Sequence, residues 1–263
     1  RRVDGEPRRQ ACGRVLHRVA IGVRSRDAEQ HCVALGARLR ARRRPHGWAI
    51  RVRDGPHDGL LDDERASART LEPLALTRAR VGAGDGDLRP EVEAGLREVL
   101  TLKRDPAKLL RDADDMRLRL EKEFPAKNRW DVKNDRGGLL DLDFVAQALQ
   151  LCHAHEKPGV LANSTQAALG NLAAEGVLPE KEAQALIEAN RLLRRIQGFL
   201  RLSAGTNFTE KGAPEGQKTA LARACGFEDF AAVRRAMKAA TKTGRKAYET
   251  WIAEPARRAA EEA

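Results

Sequence analysis

Between Trp130 and Leu151 the chain places a lysine, an arginine and two aspartates around a pair of glycines: Lys133, Arg136, Gly137, Gly138, Asp141 and Asp143. These residue types suit the handling of phosphate. A lysine is a point cation and an arginine a planar fork of donors, two ways of neutralising a triphosphate, and carboxylates are the usual protein ligands of magnesium. Paired glycines permit a positive φ or the close approach of another backbone. The spacing restricts the chemistry. At roughly 100° per residue, positions 141 and 143 stand about 200° apart on a helix, so the two acids are not expected to share one metal. The plainer reading is a charged first turn, each acid contributing about 0.3–1 kcal/mol against the helix dipole, after a solvated loop. Arg78 and Arg80 form a second set with the same pair of readings, a site or surface charge. His153 and His155, two apart, point to different faces of a helix and are not read as metal ligands. Cys12, Cys32, Cys152 and Cys225 are widely spread with no C-x-x-C pair, which argues against a disulfide framework or a structural zinc site.

The elements that must hold these residues are helices. Leu71 to Val81 reads as a short helix with Pro73 in its first turn, ended by Gly82 and Gly84. Asp85 or Asp87 caps a helix from about Pro90 that puts Val92, Leu96, Val99 and Leu100 on one face. Asp105-Pro106 opens another, with Leu109, Ala113, Met116, Leu120 and Phe124 at spacings of three and four and Pro125 as its stop. The helix after Gly138 aligns Phe144, Ala148, Leu151 and Cys152 and runs to about Glu156. Asn163-Ser164 caps a helix to Glu175, with Gly176 following. Pro179 begins the longest helix, with Ala183, Leu186, Ile187, Leu193, Ile196 and Leu200 as core and Gly205 as its break. Pro214-Glu215 starts a short helix closed by Gly226, and Glu228 to about Ile252 makes the last, with Phe230, Val233 and Met237 inward. Short links between amphipathic helices predict antiparallel packing, so the fold class expected is mainly α, an antiparallel helical bundle over about 87–263.

The 263 residues, 41% hydrophobic and 4% aromatic, can bury a sizeable core. No run of about 18 apolar residues occurs, and the Arg-rich start has no apolar h-region, so a cytoplasmic protein without a membrane partner is expected. The net charge of +11 is local: residues 1–53 hold 15 Arg against 4 acids, leaving 34 bases and 34 acids in the remainder. No lysine precedes Lys103. Residues 1–70 show no sustained periodicity beyond a weak strand at Val15–Val23 and a helix at Ala28–Arg42, and two readings stand. One is a fragment boundary or a coding region drifted or shifted in frame, leaving a degenerate or partly disordered segment. The other is a basic arm gaining affinity for phosphate backbones by counterion release, which no interleaved aromatics support. The domain reading is 1–70, Arg-rich; 71–129, connecting helices; 130–263, a helical domain around the double glycine.

Lys133, Gly137-Gly138, Asp141, Phe144 and Gln147, followed by Leu151-Cys152-His153-Ala154-His155-Glu156-Lys157-Pro158, resemble the K-x3-G-G-x2-D-I-E-F-x2-Q signature of the glutamine synthetase adenylyltransferases and its L-R-x-A-H-E-x-P sequel. Leu74-Ala-Leu-Thr-Arg-Ala-Arg-Val81 is similar to that family's A-L-T-R-A-R segment. The likeness covers roughly 71–263, and the His-Ala-His-Glu-Lys-Pro run looks like the C-terminal, adenylylating half of a two-headed enzyme. The resemblance implies transfer of AMP from ATP to a tyrosine of glutamine synthetase in the control of nitrogen assimilation, with Mg²⁺ as metal. It also implies that residues 1–70 are the remnant of an α+β nucleotidyltransferase domain. Asp143 stands where the family has glutamate. The family's Gly-Ser-x-Asp-x-Asp metal segment does not occur, and Arg42-Arg43-Arg44-Pro45-His46-Gly47 echoes its third-aspartate segment without the aspartate. The expectation is therefore a C-terminal portion inactive alone, with no catalytic or metal residue of its own. Lys133, Arg136, Gly137, Gly138, Asp141, Asp143, Arg78 and Arg80 are the candidates for positioning nucleotide or target. The alternative is a non-catalytic docking or regulatory module for glutamine synthetase or a PII-type protein; nucleic acid is the weakest partner reading.

Overall fold

The computed structural model describes residues 20–21, 38–44, 47–53, 73–83, 88–203 and 208–261. The protein is mainly α. Among the described residues, eight α-helices follow four short strands: β1 Ala20–Ile21, β2 Arg38–Arg44, β3 Gly47–Arg53, β4 Val81–Ala83, α1 Leu88–Leu100, α2 Pro106–Glu123, α3 Leu139–His153, α4 Thr165–Ala174, α5 Glu180–Ser203, α6 Glu215–Cys225, α7 Phe230–Tyr248 and α8 Glu254–Glu261. β1 pairs antiparallel with β4, and β2 with β3. The β2–β3 hairpin corrects the helix expected to Arg42. Its register pairs Leu39 with Val52 and Ala41 with Ile50, and this alternation of apolar and Arg residues is a strand period, not a helical one. The expected strand at Val15–Val23 is described only at Ala20–Ile21; the rest of it, the first part of the helix expected from Ala28 and the capping candidates Asp85 and Asp87 lie outside the described residues.

The helical expectations fare better where a helix end carries its own physical signal. Asp105 caps α2 by accepting from the N–H of Ala107 at 3.0 Å, with Pro106 at N1. Ser164 caps α4, accepting from Ala167 at 3.2 Å, and Gly226 closes α6 in the left-handed conformation at φ 80°. Four boundaries differ. The segment expected as a helix over 71–81 makes only one turn at 73–76 before β4, and α1 begins two residues before Pro90. α3 ends at His153, short of Glu156. The last helix does not stop near Ile252. Tyr248 passes into a π turn over Glu249–Ala253, in which the N–H of Glu254 reaches back to Glu249, and α8 continues through Pro255. Widening one turn accommodates the proline, whose missing N–H would break an ordinary α-helical ladder.

The helices join in an antiparallel bundle with one continuous core. Leu142, Val145, Leu169, Leu172, Leu186, Leu193, Ile196, Leu221, Val233 and Ile252 are fully enclosed. α3 is central, meeting α2, α4, α5 and α7, while α8 lies against α2 and α5 against α7. The inward residues expected from periodicity on α5, Ala183 through Leu200, are all buried. Arg104 closes the end of α1 through its guanidinium, which donates to the carbonyls of Val99, Leu100 and Leu102.

Candidate functional site

Gly137 and Gly138 are where three backbones meet. Gly137 has φ 79°, and a Cβ there would overlap the carbonyl of Thr241 and approach the N of Arg245 to 2.8 Å. On the facing helix α7, a Cβ on Gly244 would overlap the carbonyl of Gly137. At Gly138 it would overlap the carbonyl of Val132. Gly137 and Gly244 therefore seat α7 directly on the turn before α3, a contact that side chains would hold apart, while Gly138 lets that turn close on itself.

Asp141 lies beneath this turn with none of its surface exposed. One carboxylate oxygen accepts from Arg117 Nε at 2.5 Å and the other from the N–H of Gly137 at 2.5 Å. Arg117, on α2, is itself fully buried and donates through its second terminal nitrogen to the carbonyl of Asn134 at 3.0 Å. Arg136 joins from above, 3.7 Å from Asp141 and 3.8 Å from Glu121, its guanidinium over the ring of Tyr248 at 4.6 Å. The Tyr248 hydroxyl donates to Asp114 at 2.8 Å. Burial first, and the Asp114 carboxylate second, hold the Tyr248 phenol well above its ordinary range. This assembly ties α2, the glycine turn, α3 and α7 together, and Asp141 is its fulcrum.

Asp143 faces elsewhere. Its carboxylate meets Arg78 at 2.8 Å and Arg194 of α5 at 3.2 Å, and it accepts from the Thr165 hydroxyl at the start of α4 at 2.5 Å. Arg194 in turn donates to the buried Asn190 at 3.1 Å. Asp143 thus fastens the 73–80 segment to α3, α4 and α5. The candidates fall into two separate groups: Arg136, Gly137, Gly138 and Asp141 around the glycine turn, and Arg78 with Asp143 on the other side of α3. Lys133 and the exposed Arg80 belong to neither, and among the described residues the charges of both are unpaired.

The Mg²⁺ implied by the resemblance finds no converging set of acids among the described residues. Both acids are spent on arginines and backbone or hydroxyl donors, they open to opposite sides of α3, and among the described residues no three His, Cys, Asp or Glu converge as a metal site would require. His155 contacts the carbonyl of Thr101 through Nδ1 at 3.0 Å. Burial and the neighbouring Lys157 lower the pKa of His153. Burial pushes the Cys152 thiol up to about 12, against a smaller pull from Arg104, so it is a poor nucleophile.

Sequence reasoning missed Arg117, Arg194, Thr165 and Tyr248. Arg117 had a signal: it stands on the apolar stripe of α2, four residues after Ala113 and three before Leu120, where a charge requires a buried partner. Tyr248 continues the inward row of Val233, Met237, Ala240 and Gly244. Arg194 has no such mark.

The described residues define a mainly helical protein, a bundle of amphipathic helices built on a glycine turn. The profile of the family described as GlnD PII-uridylyltransferase matches residues 108–249, more than half of the chain, and the chain belongs to that family. It is similar to the bifunctional glutamine synthetase adenylyltransferase/adenylyl-removing enzyme of Bradyrhizobium diazoefficiens, 37% identical over 193 residues, covering 73% of this chain and 19% of that protein. The enzyme of the same name from Rhodopseudomonas palustris CGA009 is 36% identical over 201 residues, covering 75% and 20%. That of Rhizobium meliloti is 35% identical over 194 residues, covering 72% and 19%. The chain spans about a fifth of the length of these curated relatives. Among the described residues no helix is long and apolar enough to cross a membrane.

Proposed function

We propose that this chain is the helical part of a cytoplasmic enzyme that transfers AMP from ATP to a tyrosine of glutamine synthetase, with Mg²⁺, and that it transfers none by itself. The observation that carries this reading is the commitment of both acids of the glycine-turn stretch. With Asp141 holding Arg117 and the turn, and Asp143 holding Arg78 and Arg194, the stretch builds a platform and leaves metal chemistry to another domain. Lys133 and Arg80, with unspent charges, are the cations we assign to nucleotide or target. The same commitment favours a docking role for the bundle, toward glutamine synthetase or a PII-type protein.

The purified chain, incubated with glutamine synthetase, ATP and Mg²⁺, is expected to incorporate no AMP by intact-mass analysis. Adding it to the isolated nucleotidyltransferase domain of one of the Bradyrhizobium or Rhodopseudomonas relatives is expected to raise the transfer rate above that of the domain alone. Incorporation by the chain alone would overturn its assignment as a non-catalytic part. No effect on the added domain would overturn its assignment to this reaction.

A further inference from the structure

Helix α7 carries six cations, Arg234, Arg235, Lys238, Lys242, Arg245 and Lys246, and no acid in its 19 residues. All six are exposed. At roughly 100° per residue they fall within an arc of about 120°, centred opposite the row of Val233, Met237, Ala240, Gly244 and Ala247 that enters the core. At about 1.5 Å of rise per residue the stripe is about 18 Å long. Arg234 has a carboxylate partner, Glu210 at 3.4 Å; among the described residues the other five side chains have none. A solvated helix face normally mixes signs or spaces i, i+4 partners. Five unneutralised like charges on one arc repel one another, a cost that an oppositely charged partner reverses.

We infer that this stripe is the docking face for an acidic surface of a protein partner, and that the partner is the protein substrate of the reaction proposed above; the inference rests on that reading. Two observations weigh against other polyanions, and a third fixes where a partner would lie. A membrane-surface helix needs its apolar side free to enter lipid, and that side of α7 is consumed by the core. Single-stranded nucleic acid is held by aromatic stacking, whereas the residues between these cations are alanines, threonines, Met237 and Gly244, none of them aromatic. The stripe also touches the glycine turn: the backbone of Gly137 packs on Thr241 and Arg245, so a partner lying along α7 is carried past Arg136 and the start of α3 in a fixed position.

The test is binding of the full chain to purified glutamine synthetase by surface plasmon resonance at low and at near-physiological salt, comparing the wild type with K238E/K242E/K246E. Exposed positions make the triple variant a fold-neutral change, which circular dichroism and thermal unfolding check. Three reversed rim charges should weaken binding between about 10-fold and 100-fold, chiefly in the on-rate, and flatten its salt dependence. A control reversal on α5, R191E, should change it less than about 3-fold. Unaltered binding by the folded triple variant overturns the stripe inference and leaves the proposed reaction standing. No binding by the wild type overturns both. Duplex DNA bound more tightly than glutamine synthetase, and lost in the same variant, would reassign the stripe to nucleic acid.

Discussion

Replacing Asp141 with alanine separates the two uses a carboxylate at the glycine turn could have. In the structure it neutralises a fully buried guanidinium and holds the N–H of Gly137. Removing one member of a buried ion pair strands the other, at a cost of about 3–5 kcal/mol, and the orphaned Gly137 N–H falls within that loss. For a chain of this size each kcal/mol lowers the melting temperature by about 2–4 °C, so a drop of about 6–20 °C is expected. Asp143→Ala releases a partly exposed carboxylate, and its cost is expected nearer about 1 kcal/mol. The double replacement Arg117→Met with Asp141→Leu removes both charges and should cost no more than about 2 kcal/mol, less than either single change. Thermal unfolding followed by circular dichroism, with urea melts for the free energies, reads all of these. Equal losses for Asp141→Ala and Asp143→Ala would refute the assignment of Asp141 as fulcrum. So would a shift below about 2 °C for Asp141→Ala with loss of stimulation in the added-domain assay, since that pattern marks an acid that serves the reaction and not the fold.

The same logic extends to the glycines, the tyrosine and a thiol. Gly137→Ala combines a positive φ with overlap on α7 and should destabilise by about 3 kcal/mol or more, whereas Gly170→Ala and Gly198→Ala, where a Cβ meets nothing within 4 Å, should each stabilise by about 0.5–1 kcal/mol in urea melts. Tyr248 is the sole tyrosine, so its ultraviolet tyrosinate band reports one group; its folded pKa is raised, so its share of stability is complete below about pH 10 and falls as pH rises beyond it. The band should therefore appear only together with unfolding, and a reversible titration near pH 10 in folded protein would contradict the burial. Cys152, with its thiol raised to about 12, should be alkylated at neutral pH far more slowly than a free cysteine, as read by peptide mass mapping.

Much of the bundle was legible because its signals are local. Asp105-Pro106, Ser164 and Gly226 each satisfy or terminate a helix end with their own atoms, and spacings of three and four mark the core rows without reference to other helices. The hairpin was obscured because the alternation of Arg with Leu39 and Ala41 is short and is broken by the run Arg42-Arg43-Arg44. The site was legible as a location but not as a set of bonds. That Asp141 and Asp143 diverge follows from helical geometry, but their partners Arg117 and Arg194 come from helices far along the chain, and nothing local to the double glycine announces them. The π turn was hidden for a related reason: it lies where Trp251, whose indole donates to Glu182 at 2.8 Å, and the buried Ile252 meet the bundle, contacts made with distant residues.

That π turn also sets the phase of α8. One extra residue in a turn rotates the next helix by about 100° relative to an uninterrupted one, which brings Ala256 into the core and Ala259 to Arg111 on α2. It also ends the run of positive charge, because Glu249 and Glu254 enter at the turn and pair with Arg257 and Arg258. The basic stripe consequently has a defined terminus at Lys246, beyond which each of these acids is matched by an arginine. A partner reading that stripe meets an edge as well as a face, and the edge fixes how far along α7 it can slide.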